Sequence, residues 1–171
     1  MFVIVPEQPE HAPALPALLD AAFGADRLKK RSYHYRRGVP RIEDLAFVAL
    51  RDSRVVGAIA FWPVSIGATH AEALLLGPLA VEPVLKGQGI GRGLMWHGLE
   101  RAREGGHGRV VLVGDLDYYA QFGFRPAVDA GVAMPGEARD RLLFRAMVPD
   151  AFAGVRGAVR RATVAAEAPA A

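Results

Sequence analysis

Between residues 79 and 93 the chain reads Leu-Ala-Val-Glu-Pro-Val-Leu-Lys-Gly-Gln-Gly-Ile-Gly-Arg-Gly. An apolar run passes through a short turn into four glycines at alternate positions, and a helix-periodic segment follows. Gly87, Gly89, Gly91 and Gly93 have no side chain to block a close approach, and they tolerate positive φ. The first amides of the helix behind them lack intrahelical acceptors and carry the positive end of its dipole. A strand, glycine loop and helix in this order form a cradle for an anion, above all a pyrophosphate. The competing reading is a flexible glycine turn without a ligand.

Spacing narrows the choice. A dinucleotide fingerprint needs Gly-x-Gly-x-x-Gly. Counted from Gly87 its third glycine falls on Arg92, and counted from Gly89 it falls on Leu94. A nucleotide-triphosphate loop ends in Gly-Lys-Ser/Thr, which is absent. Composition excludes other chemistries. The chain has 171 residues and no Cys, so neither a disulfide framework nor a thiolate nucleophile is available. His11, His34, His70, His97 and His107 show no ligand spacing, and no metal is expected. The first residues lack the basic and apolar regions of a signal peptide, and no apolar run reaches membrane-spanning length. The expected setting is the cytoplasm. The net charge of +3 suits an anionic ligand without specifying one. The chain contains no Asn and is rich in Ala, Arg and Gly, a usage expected of a GC-rich bacterial genome.

The pattern along the chain predicts one domain over residues 1–150. Strands are expected at 2–5, 45–51, 54–66, 70–81, 109–114, 124–128 and 142–148. Helices are expected at 9–22, 26–37, 90–104 and 118–122. Asp52-Ser53 makes a hairpin turn. Ile90, Leu94, Gly98 and Ala102 share one helical face. The strand at 70–81 is interrupted by Gly77-Pro78, where a bulge or an edge is the simplest account, because Pro cannot donate a ladder bond. The segment 26–37 concentrates Arg27, Lys29, Lys30, Arg31, Arg36 and Arg37 around Tyr33, His34 and Tyr35. It reads either as a solvated face or as the wall of an acidic ligand's pocket. Residues 151–171, rich in Ala and Arg, read as a terminal extension, partly helical or disordered. The fold class is α+β, with a central mixed, mostly antiparallel sheet flanked by helices.

A second motif lies downstream. Residues 118–126 read Tyr-Tyr-Ala-Gln-Phe-Gly-Phe-Arg-Pro. The motif Lys86-x-x-Gly89-x-Gly91 resembles the acetyl-coenzyme A loop of the GNAT family of N-acetyltransferases, Gln/Arg-x-x-Gly-x-Gly/Ala, with Lys86 as a departure. Tyr119 to Phe124 resembles the same family's Tyr-x-x-x-Gly-Phe, and the order of the two motifs and the helix and strand between them also match. The resemblance covers residues 73–126. Within the family, Val113-Gly114-Asp115 leading into Tyr118-Tyr119 is most like the YhbS-type predicted acetyltransferases.

The resemblance implies a fold in which two parallel strands splay apart to form the cofactor cleft, with acetyl-CoA or CoA as the bound group. It implies that the strand at Gly77-Pro78 diverges from the strand at 109–114. Leu79, Ala80 and Val81 then line the pantetheine arm, and the Leu79 amide faces the thioester oxygen as an oxyanion donor. Lys86, Gly87, Gln88, Gly89, Ile90, Gly91, Arg92 and Gly93 hold the pyrophosphate. Tyr119 both contacts the cofactor and protonates the leaving thiolate, while Tyr118 and Phe122 pack on the sheet. Several family members carry a Glu base where this chain has Leu75. The remaining polar candidates for the base are Glu72, Glu82, Asp115 and His34. Asp115 is favoured because it ends a strand, although it could equally cap the next turn.

The expected function is direct transfer of an acetyl group to a primary amine on a small molecule. The missing carboxylate at Leu75 keeps alive a CoA-binding module without catalysis. The positive charge raises a third reading, transfer to an amine on a protein or tRNA. Nucleic acid is not the expected partner, and a homodimer is compatible with the resemblance.

Overall fold

Apolar segments of strand length succeed one another from residue 47 to residue 146. The computed structural model, which describes residues 1–163, pairs them into one sheet. Its strands are β1 (Val3–Pro6), β2 (Phe47–Arg51), β3 (Arg54–Ile66), β4 (Ala71–Val81), β5 (Arg109–Val113), β6 (Arg125–Pro126), β7 (Val132–Ala133), β8 (Leu142–Ala146) and β9 (Gly157–Arg161). The main path runs β1-β2-β3-β4-β5-β8-β6. Along it only β4 and β5 run parallel.

The period-two rule decides which face each residue serves. On β2, Phe47 and Ala49 point into the core beneath α2 (Ile90–Glu104), while Val48 points the other way, onto Leu18 of α1 (Leu15–Phe23). The helix α2 buries Ile90, Leu94, Met95, Gly98, Leu99 and Ala102, the face expected from its spacing. Each fully buried Leu, Ile or Met on that face stabilises by about 1.5–3 kcal/mol. A second core, built on Leu75, Val111 and Phe144, is closed by Tyr35, Val132, Val155 and Val159 from outside the main path. No helix among the described residues is long and apolar enough to cross a membrane.

Four expectations need correction. Residues 9–22 are not one helix. A 3-10 turn, Pro9–Ala14, precedes α1, because Pro9, Pro13 and Pro16 each remove a donor, and the regular helix starts only where Pro16 falls in its first turn. Residues 26–37 form two 3-10 segments, Ala25–Lys29 and Arg31–Tyr35, parted by extended backbone at Lys30. Their run of adjacent charges offers no apolar stripe on which a longer helix could rest. The strand expected at 124–128 is the two-residue β6, followed by a 3-10 turn at Ala127–Ala130. Finally, the chain does not leave the domain at residue 150. Gly157–Arg161 forms β9, which pairs with Val64–Ile66 of β3, and its Val159 is buried. The rest of the expected extension, 164–171, lies outside the described residues.

Candidate active site

Two residues of β4, Gly77 and Pro78, stand opposite one residue of β3, because Ile59 pairs with Leu79 and Phe61 with Leu76. This is a β-bulge, and it turns the strand. The indole N–H of Trp62 donates to the Gly77 carbonyl at 2.8 Å and fixes the bulge. The consequence lies on the other side of β4. Its pairing with β5 ends at Leu75 and Val111. Beyond that point β5 keeps β8, with Leu112 on Leu143 and Val113 on Leu142, and β4 keeps β3 through residues 79–81. The two parallel strands have each lost the other, and an open cleft separates Leu76–Leu79 from Leu112–Gly114. The splay expected from Gly77-Pro78 is present.

The glycine loop follows β4. A 3-10 turn at Pro83–Leu85 leads to Gly87 and Gly89, both at positive φ (82° and 83°), with open space where a side chain would stand. Gly89 caps α2 in the left-handed conformation. The amides of Gly87, Gly89, Ile90, Gly91 and Arg92 have no backbone acceptor among the described residues. Those of Lys86 and Gln88 are used within the turn. Gly93 departs from the expected cradle. Its N–H is spent on Gly89 at 2.9 Å, and its α-carbon faces Phe2 and Ile4 closely enough that a Cβ would sit 3.2–3.3 Å from their side chains. Gly93 therefore serves packing of α2 on β1. The Gln88 side chain turns away to accept from Arg51, and the Ala80 side chain is buried on the α1 side of the sheet. Gln88, whose N–H is already spent in the turn, has no backbone donor left for a phosphate, and Ala80 can offer backbone alone. An anionic pyrophosphate fits this loop: unpaired amides converge there, no side chain intrudes, and Lys86 and Arg92 border it.

Two concavities of about 490 Å³ each meet here. One follows the glycine loop, from Val81 to Arg92. The other lies between the splayed strands and the segment 23–36. Phe23, Leu79, Tyr118 and Tyr119 border both. A larger cleft, of about 1140 Å³, lies elsewhere, between residues 4–12 and the C-terminal half of α2, and contains none of these groups.

The strand β5 ends at Val113, Gly114 follows it, and the Asp115 carbonyl accepts from the amides of Tyr118 and Tyr119, starting α3 (Leu116–Tyr119). The Tyr119 ring lies against Gly114, where a Cβ would come within 2.3 Å of it, and against Phe122 and Phe124. Burial, with Tyr118 and Asp115 adding to it, pushes its phenol up to about 12. Tyr119 is thus protonated throughout the neutral range. The expectation for Tyr118 was wrong: it is 39% exposed, with its hydroxyl beside Gly91 at the mouth of α2. Phe122 is fully buried, as expected.

The expected base positions fare unevenly. Leu75 is wholly buried in the second core, so a carboxylate there would be stranded among apolar groups. Glu72, Glu82 and His34 do not line the cleft between the splayed strands. Asp115 does, but it is exposed and ion-paired with Arg141 at 2.5 Å. Sequence reasoning missed Glu137, which borders the same cleft and has no ion-pair partner among the described residues. It sits in a loop whose Gly and Pro content reads as a plain turn. The basic segment resolves toward the pocket-wall reading: Arg27, Lys30, Arg31, Tyr33 and Arg36 line the cleft. Among the described residues no three His, Cys, Asp or Glu side chains gather as metal ligands.

The family follows from comparison. A model of the acetyltransferase (GNAT) family matches residues 13–124, and the chain belongs to that family. It is 34% identical over 156 residues to the uncharacterized N-acetyltransferase YhbS of Escherichia coli strain K12, spanning 90% of this chain and 92% of that protein. The crystal structure of E. coli YhbS in complex with CoA superposes with a TM-score of 0.82 at 32% identity, over 94% of this chain and 89% of that one. A GNAT family acetyltransferase from Brucella melitensis, solved in complex with acetyl-CoA, gives 0.70 at 30% identity, over 94% and 95%.

Proposed function

We propose that the protein transfers the acetyl group of acetyl-CoA directly to a primary amine on a small molecule. The observation that carries this reading is the junction at Leu79. There the amide-lined glycine loop opens into the cleft left by the splayed strands, and the side chains of Tyr118 and Tyr119 border both spaces. When bound, acetyl-CoA supplies an acyl carbon activated as a thioester.

The chain's own groups have these tasks. The amides of Gly87, Gly89, Ile90, Gly91 and Arg92 hold the pyrophosphate, assisted by Lys86. Leu79 and Val81 present backbone to the pantetheine arm. The Leu79 N–H stabilises charge developing on the carbonyl oxygen, an effect worth about 3–4 kcal/mol for one such donor. Tyr119 gives its proton to sulfur as the carbon–sulfur bond breaks. A thiol has a pKa near 8.5 and Tyr119 one near 12, so transfer to the departing thiolate is uphill by about 3.5 pKa units and is completed as the tyrosinate recovers a proton from the attacking nitrogen, which must shed its second one. The acceptor ammonium must first lose a proton. Glu137 takes it, directly or through water, since Leu75 cannot and Asp115 is held by Arg141. The absence of Cys agrees with transfer in one step without an acyl-enzyme. A cleft of about 490 Å³ suits a small acceptor better than a protein or tRNA end.

The test is thiol release from acetyl-CoA across an amine panel, with the acetylated product identified by mass. Acceptor-dependent release with a matching product supports the reading. Tight CoA binding without transfer to any member would instead favour a binding module.

A further inference from the structure

Arg36 is buried, at 9% exposure, and unlike the buried Glu7 carboxylate, which pairs with Arg41, it has no ion partner among the described residues. Its Nε has no hydrogen-bond partner, and no carboxylate pairs with its guanidinium among the described residues. It lies over the Tyr33 ring at 5.1 Å. A neutral ring softens a cation but does not neutralise it. The guanidinium borders the cleft beside the bulge, and Nη2 would stand 2.6 Å from a Cβ at Gly77. Any side chain at residue 77 would displace it, and Gly77 holds a positive φ of 136°. Burial pulls its pKa down to about 10, with Tyr33 opposing, so it stays charged at neutral pH.

An unpaired buried cation is destabilising and is ordinarily paired. The neighbouring Arg27, nearly buried, follows that rule, with Asp20 at 2.7 Å. Arg36 breaks it beside Gly77, two residues before Leu79, the residue assigned to the transfer. Its fork presents parallel N–H groups that match a carboxylate, and one carboxylate balances one guanidinium. The cleft as a whole has five cationic side chains and two carboxylates, Asp115 and Glu137.

We propose that Arg36 is the acceptor's anion hook: the amine that is acetylated belongs to a molecule that also carries a carboxylate, bound by the guanidinium beside the Gly77 bulge. The acceptor class is then amino acids and related amino carboxylates, and diamines and polyamines are excluded. This rests on the acetyltransferase reading above.

The test separates the two. CoA binding is measured first by calorimetry. Failure of CoA to bind removes the acetyltransferase reading and the hook with it. The CoA-loaded protein is then titrated with the N-acetyl derivatives of the common amino acids, each beside its carboxamide. The expected result is that at least one acid binds about 10-fold or more tightly than its amide. Arg36→Met abolishes that preference, Arg36→Lys restores part of it, and CoA affinity stays as in the parent. The melting temperature of Arg36→Met is expected to equal or exceed the parent's, because a buried unpaired charge has been replaced by an apolar chain of similar length. No acid preferred over its amide, a preference that survives in Arg36→Met, or a marked fall in melting temperature would each overturn the hook while leaving CoA binding intact.

Discussion

Tyr119→Phe removes one oxygen and leaves the ring on Gly114, Phe122 and Phe124, so its effects isolate the hydroxyl. Turnover with a true acceptor is expected to fall about 10²-fold or more, the scale of a positioned acid, with little change in acetyl-CoA affinity. The same hydroxyl makes a separate thermodynamic prediction. Its folded pKa of about 12 lies above the value near 10 of an unfolded tyrosine. Folding therefore favours the protonated phenol. That contribution is fully present below pH 10 and is lost as pH rises toward 12. At pH 11 the loss is about 1.4 kcal/mol, one pKa unit of differential protonation. For a domain of this size that lowers the melting temperature by about 3–6 °C. Melting curves of parent and Tyr119→Phe should therefore differ in their pH dependence: between pH 9 and pH 11 the variant should lose less stability, by that amount. Taking the difference cancels the other alkaline titrations, including Tyr35 and Tyr118, which burial also raises. Parallel pH dependence in the two proteins would refute the buried-phenol argument. Unchanged kinetics would remove Tyr119 as the acid.

Other outcomes are equally direct. Gly91→Glu places a Cβ 3.1 Å from the Tyr118 hydroxyl and a carboxylate where the phosphates must approach. Calorimetry should show acetyl-CoA binding lost, and retained affinity would move the cradle elsewhere. Gly93→Ala should cost stability through its contacts with Phe2 and Ile4 yet leave acetyl-CoA affinity near the parent's, since its amide already serves α2. A large affinity loss in a folded Gly93→Ala protein would restore it to the cradle. Trp62→Phe strands the Gly77 carbonyl at the bulge. It should lower stability by about 1–3 kcal/mol in thermal unfolding, and turnover should drop more than cofactor affinity. An unaltered melting temperature would mean that Trp62 does not fix the bulge.

What the sequence disclosed was local. The glycines at 87–93 and the apolar runs beside them specify strand, loop and helix within a few residues, and Gly77-Pro78 announces its own bulge. What stayed hidden depends on tertiary neighbours. Arg36 sits in a charge run that looks solvated, and only the packing of 31–36 against β4 shows that it is buried and unpaired. Glu137 lies sixty residues from the bulge and joins the cleft through a loop without periodicity. Tyr118 and Tyr119 are adjacent identical residues, so no pattern could say which ring packs and which reaches the helix mouth. The strand β9 is five residues long and Arg-rich, and its partner on β3 lies some ninety residues upstream.

That last pairing governs what happens if the chain is shortened. Along β3, the first half is covered by β2 and the stretch Val64–Ile66 by β9. Ending the polypeptide at residue 150 would uncover a row of backbone donors and acceptors on an apolar strand in the middle of the protein. It would also withdraw Val155 and Val159 from the second core. Such an edge recruits whatever strand it meets, most readily the same edge of another copy. A shortened version should therefore precipitate or form ladder-like assemblies on expression, however complete its glycine loop and tyrosines. The C-terminal strand is in this sense a solubility device, remote from the chemistry and needed for the chain to remain in solution long enough to perform it.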